Sequence, residues 1–295
     1  MINRLRFPFR PLMIAAVLLP IPAHAQTRAE KFAPAAIEAA AQKAAAAGQA
    51  QTAAAQVQAA ASPHCLAPKN LARLDRPLSR TARLLAAGLP LRIVALGSSS
   101  TAGAGASSPE ATYPARLAAE LLERFPDHEI TVLNRGANGE EARDMMARFE
   151  TTVLAEKPDL VLWQVGTNAV LRDHPILPTS SLIEKGVAQL KAAGIDVILI
   201  DPQFAPRVTA KTALSQMLDA LAFKAKQYNV NLFQRFALMR DWRERQGLAF
   251  ETFLSPDQLH MNDWSYACVA KVLSVAIAEA ATRPAASASA ARLAR

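Results

Sequence analysis

Three consecutive serines, Ser98, Ser99 and Ser100, follow an apolar run within residues 91–105. The run predicts a buried parallel strand, and the loop at the carboxyl end of such a strand is where open α/β sheets bind ligands. A serine hydroxyl is a weak nucleophile until a neighbouring base takes its proton. The segment therefore predicts a nucleophile loop in which any of the three serines is a candidate, and it requires a histidine elsewhere in the chain.

His260 is the histidine whose surroundings suit a general base. Asp257 precedes it by three residues, a spacing that brings two side chains to one face of a turn or helical loop. The carboxylate then holds one ring nitrogen while the other nitrogen faces the serine. The alternative for this pair is a surface turn that caps the last predicted helix.

Two further residues have the chemistry of an oxyanion hole. Gly136 follows the second predicted strand and offers a backbone N–H, and Asn168 follows the third and offers a side-chain amide. Taken singly, each is an ordinary turn residue. Both loops fall at the sheet edge that carries the serines, which favours a shared site for acyl transfer.

Apolar segments that alternate with helical patterns must position these loops. We expect strands over residues 91–96, 129–135, 159–165, 196–200 and 230–233. We expect helices over residues 79–87, 109–125, 140–156, 180–193, 212–228, 236–246 and 263–281. The alternation predicts an α/β protein, a three-layer α/β/α sandwich around a parallel sheet of about five strands.

The two ends of the chain differ in composition from its central part. Arginines, an apolar run and a small-residue cleavage site predict a signal peptide over residues 1–25, cleaved after Ala25. Residues 26–65 are rich in Ala and Gln and predict a linker or stalk, and residues 283–295 predict a disordered tail. The folded domain is expected over residues 66–282, in a periplasmic or secreted protein.

Membrane insertion and nucleic-acid binding are both disfavoured. The apolar part of the leader, residues 12–21, is too short to span a bilayer, and we expect no other stretch to be long and apolar enough. The formal net charge of +8 is spread along the chain without a basic stripe. Nucleic acid is therefore not an expected partner.

Cys65 and Cys268 are the only cysteines. In an oxidising, exported compartment a lone pair predicts one disulfide, with two unrelated thiols as the alternative. No cluster of His, Cys and Asp suggests a metal ion. The glycines near the serines match neither a nucleophile elbow nor a dinucleotide or phosphate loop, so we expect no cofactor.

Four motifs within residues 91–281 resemble those of SGNH hydrolases, a family also called GDSL esterases and lipases. The family's Gly-Asp-Ser corresponds to Gly97-Ser98-Ser99, which makes Ser99 the nucleophile by resemblance. The second-motif glycine, the Gly-x-Asn-Asp motif and the Asp-x-x-His motif correspond in turn to Gly136, to Gly166-Thr167-Asn168-Ala169, and to Asp257 with His260. The resemblance implies a flavodoxin-like fold, in agreement with the pattern of strands and helices.

Two positions depart from the family pattern. Ser98 stands where the family has aspartate, and Ala169 replaces the common second aspartate of the third motif. The two changes leave open how the supporting hydrogen bonds of these loops are made, but neither removes a reacting group.

The resemblance implies a serine esterase that works through an acyl-enzyme. His260 deprotonates Ser99 and Asp257 holds the imidazole. The oxyanion is bound by the N–H of Ser99, the N–H of Gly136 and the amide of Asn168. Water then releases the acyl group with the help of the same base.

The expected substrate is a carboxylic ester with a short acyl group, for example an O-acetyl group on a cell-envelope or extracellular glycan. Phe204 and Arg207 lie in the loop after the fourth predicted strand and are candidate substrate contacts, for either an apolar or an anionic group. Within the same family, lipase or lysophospholipase activity and acyl transfer to a sugar are alternatives. A non-catalytic glycan-binding module of the same fold is the alternative from another class.

Overall fold

We analysed a computed structural model of the chain, which describes residues 42–43 and 64–283. The chain divides after Ser62, and the unit that follows contains every element numbered below. The expected signal peptide over residues 1–25 lies outside the described residues, as do nearly all of the linker and the tail. These three assignments stay predictions.

Strands and helices alternate along the described part of the chain. The strands are β1 (Leu91–Gly97), β2 (Ile130–Gly136), β3 (Leu160–Gln164), β4 (Asp196–Ile200) and β5 (Asn231–Phe233). The helices are α1 (Ser79–Ala86), α2 (Ser99–Ala102), α3 (Tyr113–Arg124), α4 (Ala142–Ala147), α5 (Phe149–Thr152), α6 (Thr167–Leu171), α7 (Ile176–Ala192), α8 (Pro206–Thr209), α9 (Leu214–Gln227), α10 (Arg235–Glu244), α11 (Phe250–Phe253) and α12 (Asp263–Thr282). Single 3-10 turns occur at Pro109–Ala111 and Leu154–Glu156.

The five strands form one parallel sheet in the order β2-β1-β3-β4-β5. Helices α1, α3, α10 and α12 cover one face of this sheet, and α4, α7 and α9 cover the other. The predicted three-layer α/β/α sandwich with a five-stranded parallel sheet is therefore confirmed. The strand order reverses direction between β1 and β3, so a crevice opens at their carboxyl ends.

The central strands are buried on both faces, as their continuous apolar sequences predict. In β3, Trp163 is fully buried and packs against Phe149 with 5.5 Å between the ring centroids. On α7, Gly186 lies against the same indole, where a Cβ atom would come within 2.5 Å of the ring. Bulky and small residues thus alternate across this layer, and the sheet is held rigidly beneath its loops.

The helix α12 passes the length and composition test for a membrane span, contrary to our expectation for the chain after the leader. About two thirds of its most apolar window is buried inside the fold. Cys268, Val269 and Leu273 are among its buried side chains. It is a core helix whose apolar sequence reflects burial on the sheet, and the side chain of Asn262 caps its start.

The single helix expected over residues 140–156 is wrong, because α4 and α5 are separate and the 3-10 turn at Leu154–Glu156 follows them. The break falls at Arg148. The hydroxyl groups of Thr151 and Thr152 both donate to its carbonyl oxygen, at 3.2 and 2.7 Å. The same carbonyl oxygen also accepts the backbone N–H of Thr152 at 2.9 Å, so these hydroxyls add to the backbone hydrogen bond at the start of α5.

The helix expected over residues 180–193 begins earlier, since α7 starts at Ile176. Pro178 lies in its first turn, where a proline is tolerated because the missing N–H has no partner in the helix. A proline that we placed in a loop is thus part of a helix start.

Cys65 and Cys268 are joined by a disulfide with a Cα–Cα distance of 5.3 Å. The bond fastens the segment before α1 to the first half of α12. The last helix is therefore covalently linked to the segment that precedes the first helix.

Candidate active site

Ser99 is the first residue of the short helix α2, directly after β1. Gly97 permits this tight connection, because a Cβ atom there would lie 2.1 Å from the Oγ1 atom of Thr101. Gly103 ends α2 in the left-handed conformation, with φ of 110°. The two glycines allow β1 to end and α2 to begin and end between Gly97 and Gly103. This tight connection places Ser99 at the edge of the sheet.

Ser98 is buried and points toward β3, where it is hydrogen-bonded to Gln164. The backbone N–H and the hydroxyl of Ser98 both donate to the Oε1 atom of Gln164, at 2.9 and 3.1 Å. Thr101 lies 3.4 Å from the same oxygen. Gln164 thus anchors the turn that carries Ser99, which is the support that the sequence pattern left in doubt at position 98.

Ser99, His260 and Asp257 form a continuous hydrogen-bonded chain. The Oγ atom of Ser99 is 2.8 Å from the Nε2 atom of His260. The opposite ring nitrogen of His260, Nδ1, is hydrogen-bonded to the Oδ2 atom of Asp257. This is the order of nucleophile, base and orienting carboxylate that acyl transfer through serine requires.

Asp257 is held in its ionised form by three further hydrogen bonds. Its Oδ1 atom accepts from the hydroxyl of Ser255 at 2.7 Å, and from the N–H groups of Leu259 and His260 at 3.0 and 2.9 Å. Burial is the largest single effect and raises the pKa of Asp257, but the hydrogen bonds from His260, Ser255 and Leu259 together outweigh it. The pKa of this carboxyl therefore lies well below its usual range, and a negative charge faces the imidazole.

The loop that carries Asp257 and His260 is closed on itself. Leu254 and Met261 form an antiparallel bridge, and the N–H of Ser255 donates to the carbonyl oxygen of His260 at 2.8 Å. Asn262, not Asp257, supplies the side-chain cap of α12. Asp257 therefore does not cap the last helix.

The loop after α2 packs directly against the histidine loop. Gly105 has φ of 88°, and a Cβ atom there would lie 2.3 Å from the carbonyl oxygen of Met261. The hydroxyl of Tyr266 donates to the carbonyl oxygen of Ala104 at 2.7 Å, and the N–H of Ser107 donates to Asp263 at 2.8 Å. Helix α12 therefore fixes the nucleophile loop relative to the base.

Gly136 ends β2 directly beside Gly97, its partner in the sheet. A Cβ atom on Gly136 would lie 2.1 Å from the backbone nitrogen of Ala102, so close packing against α2 demands glycine here. The N–H of Gly136 donates to the side-chain oxygen of Asn134 at 2.9 Å. For this N–H to bind an oxyanion, the amide of Asn134 must share it or turn away.

Asn168 is the second residue of α6 and lies across the crevice from β1. Its Nδ2 atom donates to the carbonyl oxygen of Glu140 at 2.8 Å, which uses one of the two amide hydrogens. The Glu140 carboxylate is in turn held by Arg148, whose Nε atom donates to Oε1 at 2.8 Å and whose Nη2 atom donates to Oε2 at 2.6 Å. The second amide hydrogen of Asn168 is left for a ligand in the crevice.

Glu141 was not identified from the sequence. It accepts hydrogen bonds from Arg172, and from His174 Nδ1 at 3.0 Å, and so joins the loop after β2 to the loop after α6. Burial is the largest effect on its pKa and raises it, but the hydrogen bonds and charges of His174 and Arg172 prevail and lower the pKa below the usual value. The partners lie 31 and 33 residues away, a separation at which no local pattern relates them.

Phe204 and Arg207 are not among the hydrogen-bond partners of Ser99, His260 and Asp257. Phe204 is partly buried against Phe236 and Phe250, with ring centroids 5.3 and 6.0 Å away. Arg207 lies on the exposed side of α8. Their role as substrate contacts stays a prediction.

A cleft of about 470 Å³ lies beside α2, between this helix and the edge strand β2. Gly103, Ser107, Thr112 and Asn134 contribute to its walls. Ser99, His260 and Asp257 do not line this cleft. Within the described residues, no group of three or more His, Cys, Asp or Glu side chains is arranged to hold a metal ion.

A parallel sheet of the order 2-1-3-4-5, with Ser99, His260 and Asp257 at its carboxyl edge, defines an SGNH-type hydrolase fold. Comparison with protein families gives a match to the non-GDSL lipase-like family over residues 64–283. Because this match covers most of the chain, the protein belongs to the non-GDSL lipase-like family. Ser98, which replaces the aspartate of the GDSL pattern, agrees with that description.

Two curated relatives are esterases by name. An acetylxylan esterase of Geobacillus stearothermophilus is 38% identical over 64 residues, which is 22% of this chain and 29% of that protein. An arylesterase of Vibrio mimicus is 30% identical over 115 residues, which is 39% of this chain and 56% of that protein. The matched regions thus span less than two thirds of either relative.

Solved structures share the fold. A two-domain esterase active on acetylated mannans has a TM-score of 0.62 at 23% identity, over 74% of this chain and 57% of that chain. A variant of an acetyl xylan esterase from Geobacillus stearothermophilus has a TM-score of 0.53 at 22% identity, over 65% of this chain and 94% of that chain. At these identities the comparison establishes a common architecture.

Proposed function

We propose that this protein is a serine esterase that hydrolyses carboxylic esters through an acyl-enzyme. The observation that carries the proposal is the hydrogen bond of 2.8 Å between Ser99 Oγ and His260 Nε2, with Asp257 bound to the other ring nitrogen. A serine in an ordinary turn has no need of a histidine oriented by a carboxylate. The family and the names of the two relatives support the same class of reaction.

The first half of the reaction acylates Ser99. His260 Nε2 takes the hydroxyl proton as Oγ attacks the ester carbonyl carbon, and the negative charge of Asp257 stabilises the imidazolium that forms. The tetrahedral oxyanion is bound by the N–H of Ser99, the amide of Asn168 and, once released by Asn134, the N–H of Gly136. His260 then returns its proton to the departing alkoxide, and the carbon–oxygen bond to the alcohol breaks.

The second half repeats these steps with water as the nucleophile. His260 removes a proton from water as the oxygen attacks the acyl-enzyme, and the same donors bind the second oxyanion. The bond to Ser99 Oγ breaks, Oγ regains its proton from His260, and the carboxylic acid leaves. Atoms and charges balance without any group beyond the ester, water and these side chains.

We propose short-acyl esters, and O-acetyl groups on glycans in particular, as the substrate. The acetylxylan esterase among the curated relatives and the structural neighbour active on acetylated mannans support this choice. The predicted signal peptide over residues 1–25 adds a location in which glycans are accessible. Periplasmic or secreted localisation is part of the same proposal.

The triad is tested with a fluorophosphonate, which forms a covalent adduct with an activated serine. We expect mass spectrometry to find one adduct on the parent protein and none on Ser99→Ala. Ser100→Ala is the matched control, because Ser100 is the next residue of the same helix, and it should keep the adduct. Labelling of Ser99→Ala equal to that of the parent would overturn the assignment of the nucleophile, and an unlabelled parent would favour a binding module.

The acyl group is tested with aryl acetate, butyrate and longer esters, and with acetylated xylan and mannan oligosaccharides. We expect kcat/KM to be highest for acetate and acetic acid to be released from the oligosaccharides. Rates that rise toward long acyl chains would replace the glycan assignment with a lipase. An acetylated sugar formed in place of acetic acid would indicate acyl transfer.

A further inference from the structure

A buried glutamine lies between the two loops that carry Asn168 and His260. Gln203 follows β4 and is only 1% exposed. Its Oε1 atom accepts a hydrogen bond from the hydroxyl of Thr167 at 3.0 Å, and its Nε2 atom donates to the carbonyl oxygen of Leu259 at 3.2 Å. Thr167 immediately precedes Asn168, and Leu259 immediately precedes His260. One side chain therefore bridges the oxyanion side and the base side of the site.

The orientation of this amide is fixed by a third partner. The Nη2 atom of Arg235 donates to the same Oε1 atom at 3.0 Å. Because two donors meet at Oε1, the amide nitrogen must point the other way, toward Leu259. An amide turned over would bring its N–H groups against Arg235 and lose the bond to Leu259.

Arg235 is itself immobilised at the start of α10. It is 1% exposed, and its Nε atom donates to the carbonyl oxygen of Asp201 at 3.0 Å. The carboxylate of Asp201 accepts from the N–H of Phe236 at 2.8 Å and so caps the same helix. Gln203 thus connects both loops to a rigid part of the sandwich.

We propose that Gln203 is a positioning residue, which holds the Asn168 loop and the His260 loop at the separation that the reaction needs. The inference rests on the proposed function, since it assigns Gln203 a role through His260 and Asn168. Nucleophile, base and oxyanion donors must stay within hydrogen-bond reach of one another, and a displacement of about 1 Å costs on the order of 100-fold in rate. Binding of the ester outside the reacting atoms does not depend on this bridge.

Gln203→Glu tests the bridge with the least change of shape. A glutamate keeps both acceptor bonds, from Thr167 and Arg235, but places a second oxygen against the carbonyl oxygen of Leu259. Asn231→Asp is the matched control, because Asn231 is a buried amide that bridges to the backbone N–H and carbonyl of Arg76 at the opposite end of the sheet.

We expect Gln203→Glu to lower kcat by about 10- to 100-fold with KM changed less than about twofold. Asn231→Asp should leave both constants within about twofold of the parent, at a comparable loss of melting temperature. Equal kcat in Gln203→Glu and the parent would overturn the proposal. So would an equal loss of kcat in both variants, because the effect would then follow from stability alone.

Thr167→Val supplies a second variant at the other end of the bridge. It removes the hydroxyl and keeps the side-chain shape, so folding is retained even if Gln203→Glu folds poorly. We expect a fall in kcat that is not additive with that of Gln203→Glu, since the two changes break one connection. Fully additive losses in the double variant would contradict a shared bridge.

Hydrogen exchange separates this inference from the proposed function, because it needs no substrate. We expect peptides that cover residues 254–262 to exchange faster in Gln203→Glu than in the parent, and at the parent rate in Asn231→Asp. Faster exchange without any esterase activity in the parent would leave the bridge in place and remove the proposed function. Unchanged exchange together with an unchanged kcat would remove the bridge and leave the proposed function.

Discussion

The two carboxylate oxygen atoms of Asp257 have different hydrogen-bond partners. Oδ2 is bonded to the imidazole, and Oδ1 accepts from three donors of its own loop. Asp257→Asn keeps the size of this side chain, but the new amide has two possible orientations. Its NH2 group faces the hydrogen-bond donors of the loop in one orientation and Nδ1 of His260 in the other. In both orientations the imidazole loses its carboxylate partner. We expect kcat to fall by about 10³- to 10⁴-fold in an assay with an aryl acetate.

The control for this change is Asp219→Asn, at an exposed position on α9. It removes the same charge from the chain and should retain the full rate. If Asp257→Asn were as active as this control, the carboxylate would have no part in orienting His260. The lowered pKa keeps Asp257 ionised on acidification, so its negative charge on the imidazole is retained.

Ser98 marks the difference between this chain and the GDSL pattern, and Gln164 explains it. The oxygen of Gln164 already accepts the N–H and the hydroxyl of Ser98. In Ser98→Asp a buried carboxylate would face the side-chain oxygen of Gln164. If the Gln164 amide turned over, its N–H groups would face the backbone N–H at position 98 instead. We expect Ser98→Asp to lose about 2–4 kcal/mol of unfolding free energy in urea.

Ser98→Ala is the milder change, because the backbone N–H keeps its bond to Gln164. We expect a loss of about 1 kcal/mol and retention of fluorophosphonate labelling. Ser98→Asp as stable as the parent would mean that Gln164 does not determine which residue fits position 98.

The sequence identified Ser99, His260 and Asp257 as candidates, and the structure brings Ser99 and Asp257 within hydrogen-bond distance of the two ring nitrogens of His260. Their chemistry and their spacing in ordered motifs made this possible. Gln164 and Gln203 carried no such signal. Each is a single amide whose partners lie far away in the chain, so its importance depends on tertiary contacts that no local pattern encodes.

At the scale of elements, the glycines of the site loops can be compared with a glycine elsewhere. Gly105 and Gly194 both have positive φ, 88° and 68°, but a Cβ atom would clash with the Met261 carbonyl only at Gly105. We expect Gly194→Ala to cost about 1 kcal/mol of stability and leave the rate unchanged. Gly105→Ala should lower both the stability and the rate by more, as measured by urea unfolding and by kcat.

Equal effects of the two alanine substitutions would show that the contact between the loop after α2 and the histidine loop is unimportant. A large loss of stability in Gly105→Ala with an unchanged kcat would separate packing from the geometry of the triad.

Strands were predictable because continuous apolar runs bounded by polar residues have few other interpretations. The helix boundaries were less predictable from the sequence. The break falls at Arg148, whose side chain forms an ion pair with Glu140, and the early start of α7 depends on a proline fitting its first turn. These outcomes balance local chemistry against tertiary contacts.

At the scale of the whole molecule, the disulfide closes a loop between residues 203 positions apart. We expect reduction to lower the unfolding free energy by about 2–5 kcal/mol, because the unfolded chain regains entropy. Urea unfolding with and without a reductant measures the difference. The stability of a Cys65→Ala/Cys268→Ala variant should not change with the reductant. If the stability of the parent were also unchanged, the disulfide would contribute nothing to the unfolding free energy.

The stability of the molecule should also depend on the protonation of Asp201. Burial is the main cause that raises the pKa of this carboxyl from 3.8 to about 7, against the opposing effects of the Phe236 N–H and of Arg235. The folded protein therefore holds a proton that the unfolded chain releases, and stability falls as pH rises from about 4 to 7, by at most about 1.4 kcal/mol per pH unit.

Asp201→Asn removes this titration while its oxygen still caps α10. We expect the parent to be more stable relative to this variant at pH 5 than at pH 8. The quantity to measure is the difference between their unfolding free energies at the two pH values. The lowered pKa values of Asp257 and Glu141 act below this window. A difference independent of pH would mean that Asp201 is ionised throughout.

The attachment of the loop after α2 to α12 has a consequence for the order in which the chain is made. Ser99 leaves the ribosome 161 residues before His260, and the anchors Asp263 and Tyr266 follow still later. Throughout that interval the growing polypeptide carries the serine without its imidazole partner and without the two contacts that α12 makes to the loop after α2. We therefore expect a nascent chain arrested before residue 260 to show no esterase activity, because the proposed site is completed only when the final helix docks.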